Sequence, residues 1–234
     1  MVSSGISSLD RLLGDGYPDR STILVVGPPG IGKQGLGYWF TNFGLAHGDV
    51  SLYVTRLAIH EVLHDIGGFG IDTVGIKPVW LASDSRDTKY DPNNIDGLSS
   101  SILDFLKKNA NSKIRITIDV LSSLLVLDSP EIIYRFLTEL FSEIKRYDVV
   151  LLATLEDSMH KPEVVATMEQ LFDGVLEFRM YEDRMRLLPL LRIAKMRGMI
   201  PSSSYYLTSF SKTGMEVNPY VKELGIRAWL RGPG

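Results

Sequence analysis

The chain has 234 residues, of which 44% are hydrophobic, and this is long enough for one α/β domain with a substantial buried core. Its 25 Lys and Arg residues nearly balance its 28 Asp and Glu residues, so no global basic field predicts binding to nucleic acid or to an anionic membrane. The absence of cysteine excludes disulfides, thiolate metal sites and cysteine nucleophiles. The first ten residues lack a signal-peptide pattern, and no apolar run is long enough for a membrane span, so we expect a soluble, cytoplasmic protein.

A glycine-rich segment near the amino terminus lies between a predicted strand and a predicted helix. The strand is the apolar, β-branched run from Ser21 to Val26, and the helix extends from about Lys33 to Ala46. Between them, G-P-P-G-I-G-K-Q has the glycines that turn backbone N–H groups around phosphate oxygens and the lysine that reaches the β and γ phosphates. We therefore predict a nucleotide site formed by Gly27, Pro28, Pro29, Gly30, Ile31, Gly32, Lys33, Gln34 and Gly35.

Strands and helices continue to alternate through the rest of the first two thirds of the chain. A short helix is predicted at 5–13, before the first strand. Further strands are predicted at 51–55, 77–81, 114–119 and 149–155, and further helices at 58–66, 98–109, 130–147 and 163–172. The polar segment 83–96 is predicted to be a surface loop. The last third changes to strands joined by short turns, at 174–180, 187–195, 205–210 and 215–217.

This order of elements predicts a three-layer α/β/α fold, with a mainly parallel twisted sheet that ends in antiparallel strands. In such sheets ligands bind at the carboxyl ends of the strands. We expect residues 1–218 to form a single nucleotide-binding domain and residues 219–234 to form a C-terminal tail.

Four segments together resemble the KaiC-like branch of the RecA superfamily of P-loop ATPases. They are the opening G-I-S-S-L-D-R-L-L-G-D-G, the glycine-rich loop, the apolar strand that ends at Asp119, and K-M-R-G at 195–198. They occur in the family's order along roughly the whole chain, which makes the match more specific than the loop alone. The resemblance implies a RecA-like fold, ATP or ADP and Mg²⁺ as ligands, and a homo-oligomer, such as a hexameric ring, or a protein partner.

The resemblance also assigns roles to individual residues. Asp119 matches the acid that holds Mg²⁺, usually through water, and Glu156 matches a polar sensor position at the end of the neighbouring strand. Lys195 and Arg197 match a basic pair that reaches the γ-phosphate of the adjacent subunit, where such groups stabilise charge on the transferring phosphoryl group. Glu156, Lys195 and Arg197 are therefore the candidate catalytic residues.

Two departures from the family pattern bear on hydrolysis. Gln34 stands where a Ser or Thr hydroxyl binds Mg²⁺; its amide oxygen could contact the metal, but the side chain differs in length from one that carries a hydroxyl. Leu57 and Ala58 stand where the family has a glutamate pair that orients the attacking water, and neither side chain can do this. We therefore predict a nucleotide-sensing regulatory or assembly subunit with weak or lost hydrolysis. A working ATPase, with Glu61 or Glu156 orienting water, remains the alternative.

Two further functions are alternatives to nucleotide sensing. His60, Glu61 and His64 fit H-E-x-x-H, the pattern of zinc hydrolases, but a third ligand is needed and the remaining histidines have no continuing motif. A surface helix is the preferred interpretation of this pattern. The second alternative is a DNA-binding recombinase paralogue, because recombinases belong to the same superfamily. The charge balance of the chain does not support binding to nucleic acid.

Overall fold

Apolar, β-branched runs and amphipathic stretches alternate along the chain and form nine strands and seven α-helices within the described residues. The computed structural model describes residues 1–74, 77–82, 94–183, 186–200, 204–211 and 214–218. The strands are β1 (Thr22–Gly27), β2 (Val50–Thr55), β3 (Val79–Leu81), β4 (Ile114–Asp119), β5 (Val149–Glu156), β6 (Gly174–Asp183), β7 (Arg186–Met196), β8 (Tyr206–Ser211) and β9 (Gly214–Asn218). The helices are α1 (Ser7–Leu13), α2 (Gln34–Ala46), α3 (Ile59–Gly68), α4 (Ile95–Lys108), α5 (Leu121–Leu127), α6 (Pro130–Ile144) and α7 (Pro162–Leu171), with a 3₁₀ turn at Asp157–Met159.

All nine strands form one sheet in the order β3-β2-β4-β5-β1-β6-β7-β8-β9. The first six strands in this order pair in parallel, and β6 to β9 pair as antiparallel neighbours. Strands β1 and β5 are buried along almost their whole length, as expected for parallel strands covered on both faces. The predicted mainly parallel sheet with antiparallel C-terminal strands is confirmed.

Two hydrophobic cores lie on opposite faces of the sheet. One contains the apolar faces of α4, α5, α6 and α7, and the other contains those of α1, α2 and α3 together with side chains of the C-terminal strands. The fold is therefore a three-layer α/β/α arrangement with β1 at its centre. Within the described part of the chain, no helix is long and apolar enough to cross a membrane.

Most predicted elements occur within a few residues of their expected bounds, but α5 was not predicted. Its residues are apolar around most of the helix, so the sequence has no amphipathic period there. Residues 83–93 of the predicted surface loop and the predicted tail 219–234 lie outside the described residues. The division into a domain at 1–218 and a tail stays a prediction.

Candidate functional site

The glycine-rich loop follows the carboxyl end of β1 and leads directly into α2. Gly30 and Gly32 have φ angles of +75° and +85°, a left-handed conformation that side chains other than glycine rarely adopt. Gly32 also lies against a ring, because a Cβ atom placed there would be 2.7 Å from Cζ of Phe210. The glycines are thus required by the turn and by the contact with β8.

The side chain of Lys33, the lysine of this loop, is completely buried. Its Nζ lies 2.5 Å from Oε2 of Glu156, which ends β5, and donates a hydrogen bond of 3.2 Å to the carbonyl of Pro28. A buried ammonium group needs a counter-charge, since desolvation strongly disfavours an unpaired one. The structure supplies this counter-charge from a strand that directly neighbours β1.

Glu156 is held by further contacts around its ion pair with Lys33. The parallel register pairs Glu156 with Gly27, so strand pairing alone places it beside the loop. Its Oε1 accepts a hydrogen bond of 3.5 Å from Nε2 of Gln34, and its backbone N–H donates one of 2.7 Å to Oγ of Ser122 on α5. Gln34 therefore contacts an acidic side chain at the position where a hydroxyl was expected.

Asp119 ends β4, one strand away from Glu156. Oγ1 of Thr154 donates a hydrogen bond to Asp119 Oδ1. Burial raises the pKa of the Asp119 carboxyl to about 6, the Thr154 hydrogen bond opposes this shift, and the nearby charge of Glu156 adds to it. An acid with a raised pKa at the carboxyl edge of a parallel sheet is a common feature of functional sites.

These acids fit a Mg²⁺ ion only together with a bound phosphate. Magnesium is usually held by one or two carboxylates, with waters and substrate phosphates completing its coordination. Asp119 is the described carboxylate in the predicted position, and Gln34 directs its amide N–H₂ toward Glu156. Across the described ranges no group of three or more His, Asp or Glu side chains is placed to hold a metal.

The segment after β2, where the water-orienting glutamates were missing, has a structural role. Leu57 is 38% exposed, and Ala58 is the N-cap of α3. Oε2 of Glu61 accepts a hydrogen bond of 2.8 Å from the Ala58 N–H, so this acid caps the helix. His60 and His64 are exposed on α3, as expected for a surface helix.

A cleft of about 530 Å³ adjoins the loop on the side of α3 and β8. Its walls include the rings of Phe69 and Phe210, whose centroids are 6.0 Å apart. Phe210 contacts Gly32, and a Cβ atom at Gly35 would lie 2.8 Å from Phe69 Cε1, so two of the rings that line the cleft also contact residues 27–35. The carboxylate of Asp65 supplies a hydrogen-bond acceptor at its edge.

Comparison with known protein families agrees with this geometry. The family model described as "ATPase: KaiC" matches residues 2–222. The chain belongs to the KaiC ATPase family. The resemblance inferred from the sequence is thereby confirmed, and with it the placement in the RecA superfamily.

Two curated relatives and one solved structure illustrate how far the similarity extends. UPF0273 protein MK0039 of Methanopyrus kandleri is 25% identical over 96% of this chain and 95% of its own length. UPF0273 protein PF1931 of Pyrococcus furiosus is 36% identical over 30% of this chain and 29% of its own length. The crystal structure of KaiC-like protein PH0186 from Pyrococcus horikoshii aligns with this chain at a TM-score of 0.78 and 24% sequence identity. The alignment covers 93% of this chain and 98% of that one, so the two chains share a fold.

The basic pair that the KaiC resemblance assigned to a neighbouring subunit's site lies far from this chain's own loop. Met196 pairs with Gly174, which pairs with Ile23 near the start of β1, whereas the loop follows the end of β1. Lys195 Nζ donates to the carbonyls of Glu169 and Gln170 at the end of α7, 3.3 and 3.0 Å away. Arg197 forms a 3.1 Å ion pair with Asp173 and also donates to the carbonyls of Asp19 and Arg20. A finger role for either residue therefore requires a second copy of the chain.

Sequence reasoning did not identify several residues that shape this KaiC-type site. Thr154 and Ser122 contact the two acids, and Phe210 covers Gly32. A signal exists for Thr154, which precedes Glu156 by two positions and therefore shares its face of the strand. No local pattern indicates Phe210, because β8 is far from the loop in sequence.

Proposed function

We propose that this KaiC-family protein binds ATP or ADP at the loop 27–35 and acts as a nucleotide-sensing regulatory or assembly subunit with weak or lost hydrolysis. The observation that carries the proposal is the buried Lys33, held at the end of a glycine-rich loop and opposed by the carboxylates of Glu156 and Asp119. Backbone N–H groups and a lysine form a phosphate cradle, and the amino end of α2 adds its favourable dipole.

The adjoining cleft supports binding of a whole nucleotide. Aromatic rings stack on bases, and the Asp65 carboxylate can accept a hydrogen bond from an exocyclic amino group. We infer that the base occupies this cleft, against the ring of Phe69 or Phe210, while the phosphates occupy the loop. Asp119 would hold Mg²⁺, which would neutralise phosphate charge there.

Weak hydrolysis follows from the residues that surround the phosphate position. Leu57 and Ala58 cannot polarise water, and the Glu61 carboxylate is engaged in capping α3. Glu156 is paired with Lys33, which lowers its availability as a base. Nucleotide occupancy would then act through differential binding to assembly states and not through turnover.

The proposal is tested by calorimetric titration with ATP and ADP and by a steady-state assay of phosphate release. We expect binding in the micromolar range and turnover far below about 1 per second, the lower end of ordinary enzyme rates. Lys33→Ala should lose binding, whereas Lys107→Ala, an exposed lysine on α4, should keep it. Turnover on the order of 1 per second with Mg²⁺ would contradict the sensing role in favour of a working ATPase.

A further inference from the structure

The ion pair between Lys33 and Glu156 occupies the place where a phosphate oxygen is expected. A P-loop lysine reaches the β and γ phosphates of its ligand. Here its Nζ lies 2.5 Å from Oε2 of Glu156, in direct contact, so the two groups form a charge-assisted hydrogen bond. A carboxylate oxygen and a phosphate oxygen are both anionic acceptors, so Glu156 satisfies Lys33 as a terminal phosphate would.

Glu156 is also retained by groups other than Lys33. Gln34 Nε2 contacts its second carboxylate oxygen, at 3.5 Å, and strand pairing with Gly27 fixes its backbone beside the loop. Gln34 thus contacts the carboxylate from a position where a Ser or Thr would face the metal. Any ligand that displaces Glu156 must itself supply a negative charge, because Lys33 is completely buried.

We propose that the site prefers a nucleoside diphosphate over the corresponding triphosphate, and that Glu156 is the residue that sets this preference. The inference rests on the proposed function, since it concerns the same loop. Lys33 uses two of its three N–H groups on Glu156 and on the Pro28 carbonyl, so a diphosphate can fill the backbone cradle of residues 27–33 and accept the third N–H while Glu156 stays on Lys33. A triphosphate brings its γ-phosphate against the Glu156 carboxylate, so it must either displace this side chain or bear the repulsion of two like charges.

This preference identifies the Glu156 side chain as the group whose position differs between the two nucleotide-bound states. Glu156 remains on Lys33 when a diphosphate is bound and leaves it when a triphosphate is bound. Its backbone N–H bonds Ser122 on α5, and it precedes the 3₁₀ turn at Asp157–Met159, so both segments are directly linked to its position. The difference between the two ligands can therefore reach α5 and the 3₁₀ turn without bond cleavage.

The test measures the dissociation constants of ADP and of the non-hydrolysable analogue AMP-PNP by calorimetry, in EDTA so that metal charge does not offset the carboxylate. The unmodified protein should bind ADP about tenfold more tightly than AMP-PNP. Glu156→Gln keeps the shape and removes the charge, and should reduce the ratio to about twofold or less. Asp157→Asn removes a carboxylate charge one residue further along the chain, and should leave the ratio of the two dissociation constants unchanged.

Gln34→Ala provides a second measurement that does not alter the acidic residue. Loss of its contact with Glu156 should lower the preference for ADP by a smaller factor than Glu156→Gln does. Equal affinities for the two nucleotides in the unmodified protein, or a ratio unchanged by both Glu156→Gln and Gln34→Ala, would overturn this inference alone. Failure of the unmodified protein to bind either nucleotide would overturn the proposed function, and the inference with it.

Discussion

At the scale of single residues, Asp119 is a buried acid whose ionisation opposes folding. Its pKa of about 6 lies above the ordinary value of 3.8, chiefly because burial disfavours the charged form. Between these two pH values the folded protein binds a proton that the unfolded chain has released, so stability falls as the pH rises through this window. Above it, ionised Asp119 costs about 2 to 3 kcal/mol of unfolding free energy.

Asp119→Asn should therefore stabilise the nucleotide-free protein. Asparagine can still accept the hydrogen bond from Thr154, and it has no charge to desolvate. We expect the melting temperature at pH 8 to rise by about 5 to 10 °C and the gain to vanish near pH 4. Thermal denaturation followed by circular dichroism across this pH range measures the effect.

Asp157→Asn is the matched control for this change, since it alters a carboxylate just beyond β5 and should shift the melting temperature by no more than about 2 °C. A lower melting temperature for Asp119→Asn at pH 8 would show that its charge stabilises the fold instead. Asp119→Asn should also weaken Mg²⁺-dependent nucleotide binding, so stability would increase at the expense of function.

At the scale of elements, helix α2 approaches β4 closely because glycines line its inner face. A Cβ atom at Gly37 would lie 2.8 Å from Thr117 Cγ2, and one at Gly44 would lie 2.3 Å from Arg115 Cδ. Arg115 cannot move aside easily, because it is buried and its guanidinium bonds Asp49 and the carbonyls of Ser3 and Phe40. The helix that follows the phosphate loop is thereby fixed to the sheet.

Gly44→Ala should destabilise the protein by about 1 to 3 kcal/mol, although alanine is the better helix former. The control is Gly67→Ala in α3, where an added Cβ would meet nothing within 4 Å. This second change should stabilise by about 0.5 to 1 kcal/mol through helix propensity alone. Urea denaturation of both variants makes the comparison, and a stabilising Gly44→Ala would refute close packing between α2 and β4.

The elements could largely be predicted from the sequence, whereas the contacts inside the site could not. Strand β1, the loop and Asp119 follow from apolar runs and turn chemistry that act over a few residues. The ion pair of Lys33 with Glu156 depends on β5 pairing with β1 in one register, and this is set by the packing of the whole sheet. Helix α5 was missed because an apolar run of seven residues has no readable period.

At the scale of the whole molecule, the phosphate loop lies at the carboxyl ends of the parallel strands, and the basic pair lies at their amino ends. The loop follows the carboxyl end of β1, and Lys195 and Arg197 lie beside the strand's beginning. In the described structure both side chains bind groups of their own chain. A role in catalysis or sensing therefore needs head-to-tail contact between copies, which is a heterologous interface.

The double variant Lys195→Ala/Arg197→Ala should lose any nucleotide-dependent increase in molar mass, measured by light scattering after gel filtration. It should also lose about 1 kcal/mol of stability, because Lys195 caps α7 and Arg197 pairs with Asp173. Lys145→Ala/Arg146→Ala, at the exposed end of α6, is the matched control and should assemble like the unmodified protein. Unchanged assembly of the first variant would remove the finger role.

The pairing of Lys33 with Glu156 also has a consequence for synthesis on the ribosome. Gln34 and Glu156 are 122 residues apart, so the phosphate loop is made long before its acidic partner. At usual elongation rates the delay is about 6 to 25 s, during which Glu156 cannot supply the counter-charge of Lys33. Until Glu156 has been made, the nascent loop must therefore stay solvated or take its counter-charge from an anionic ligand.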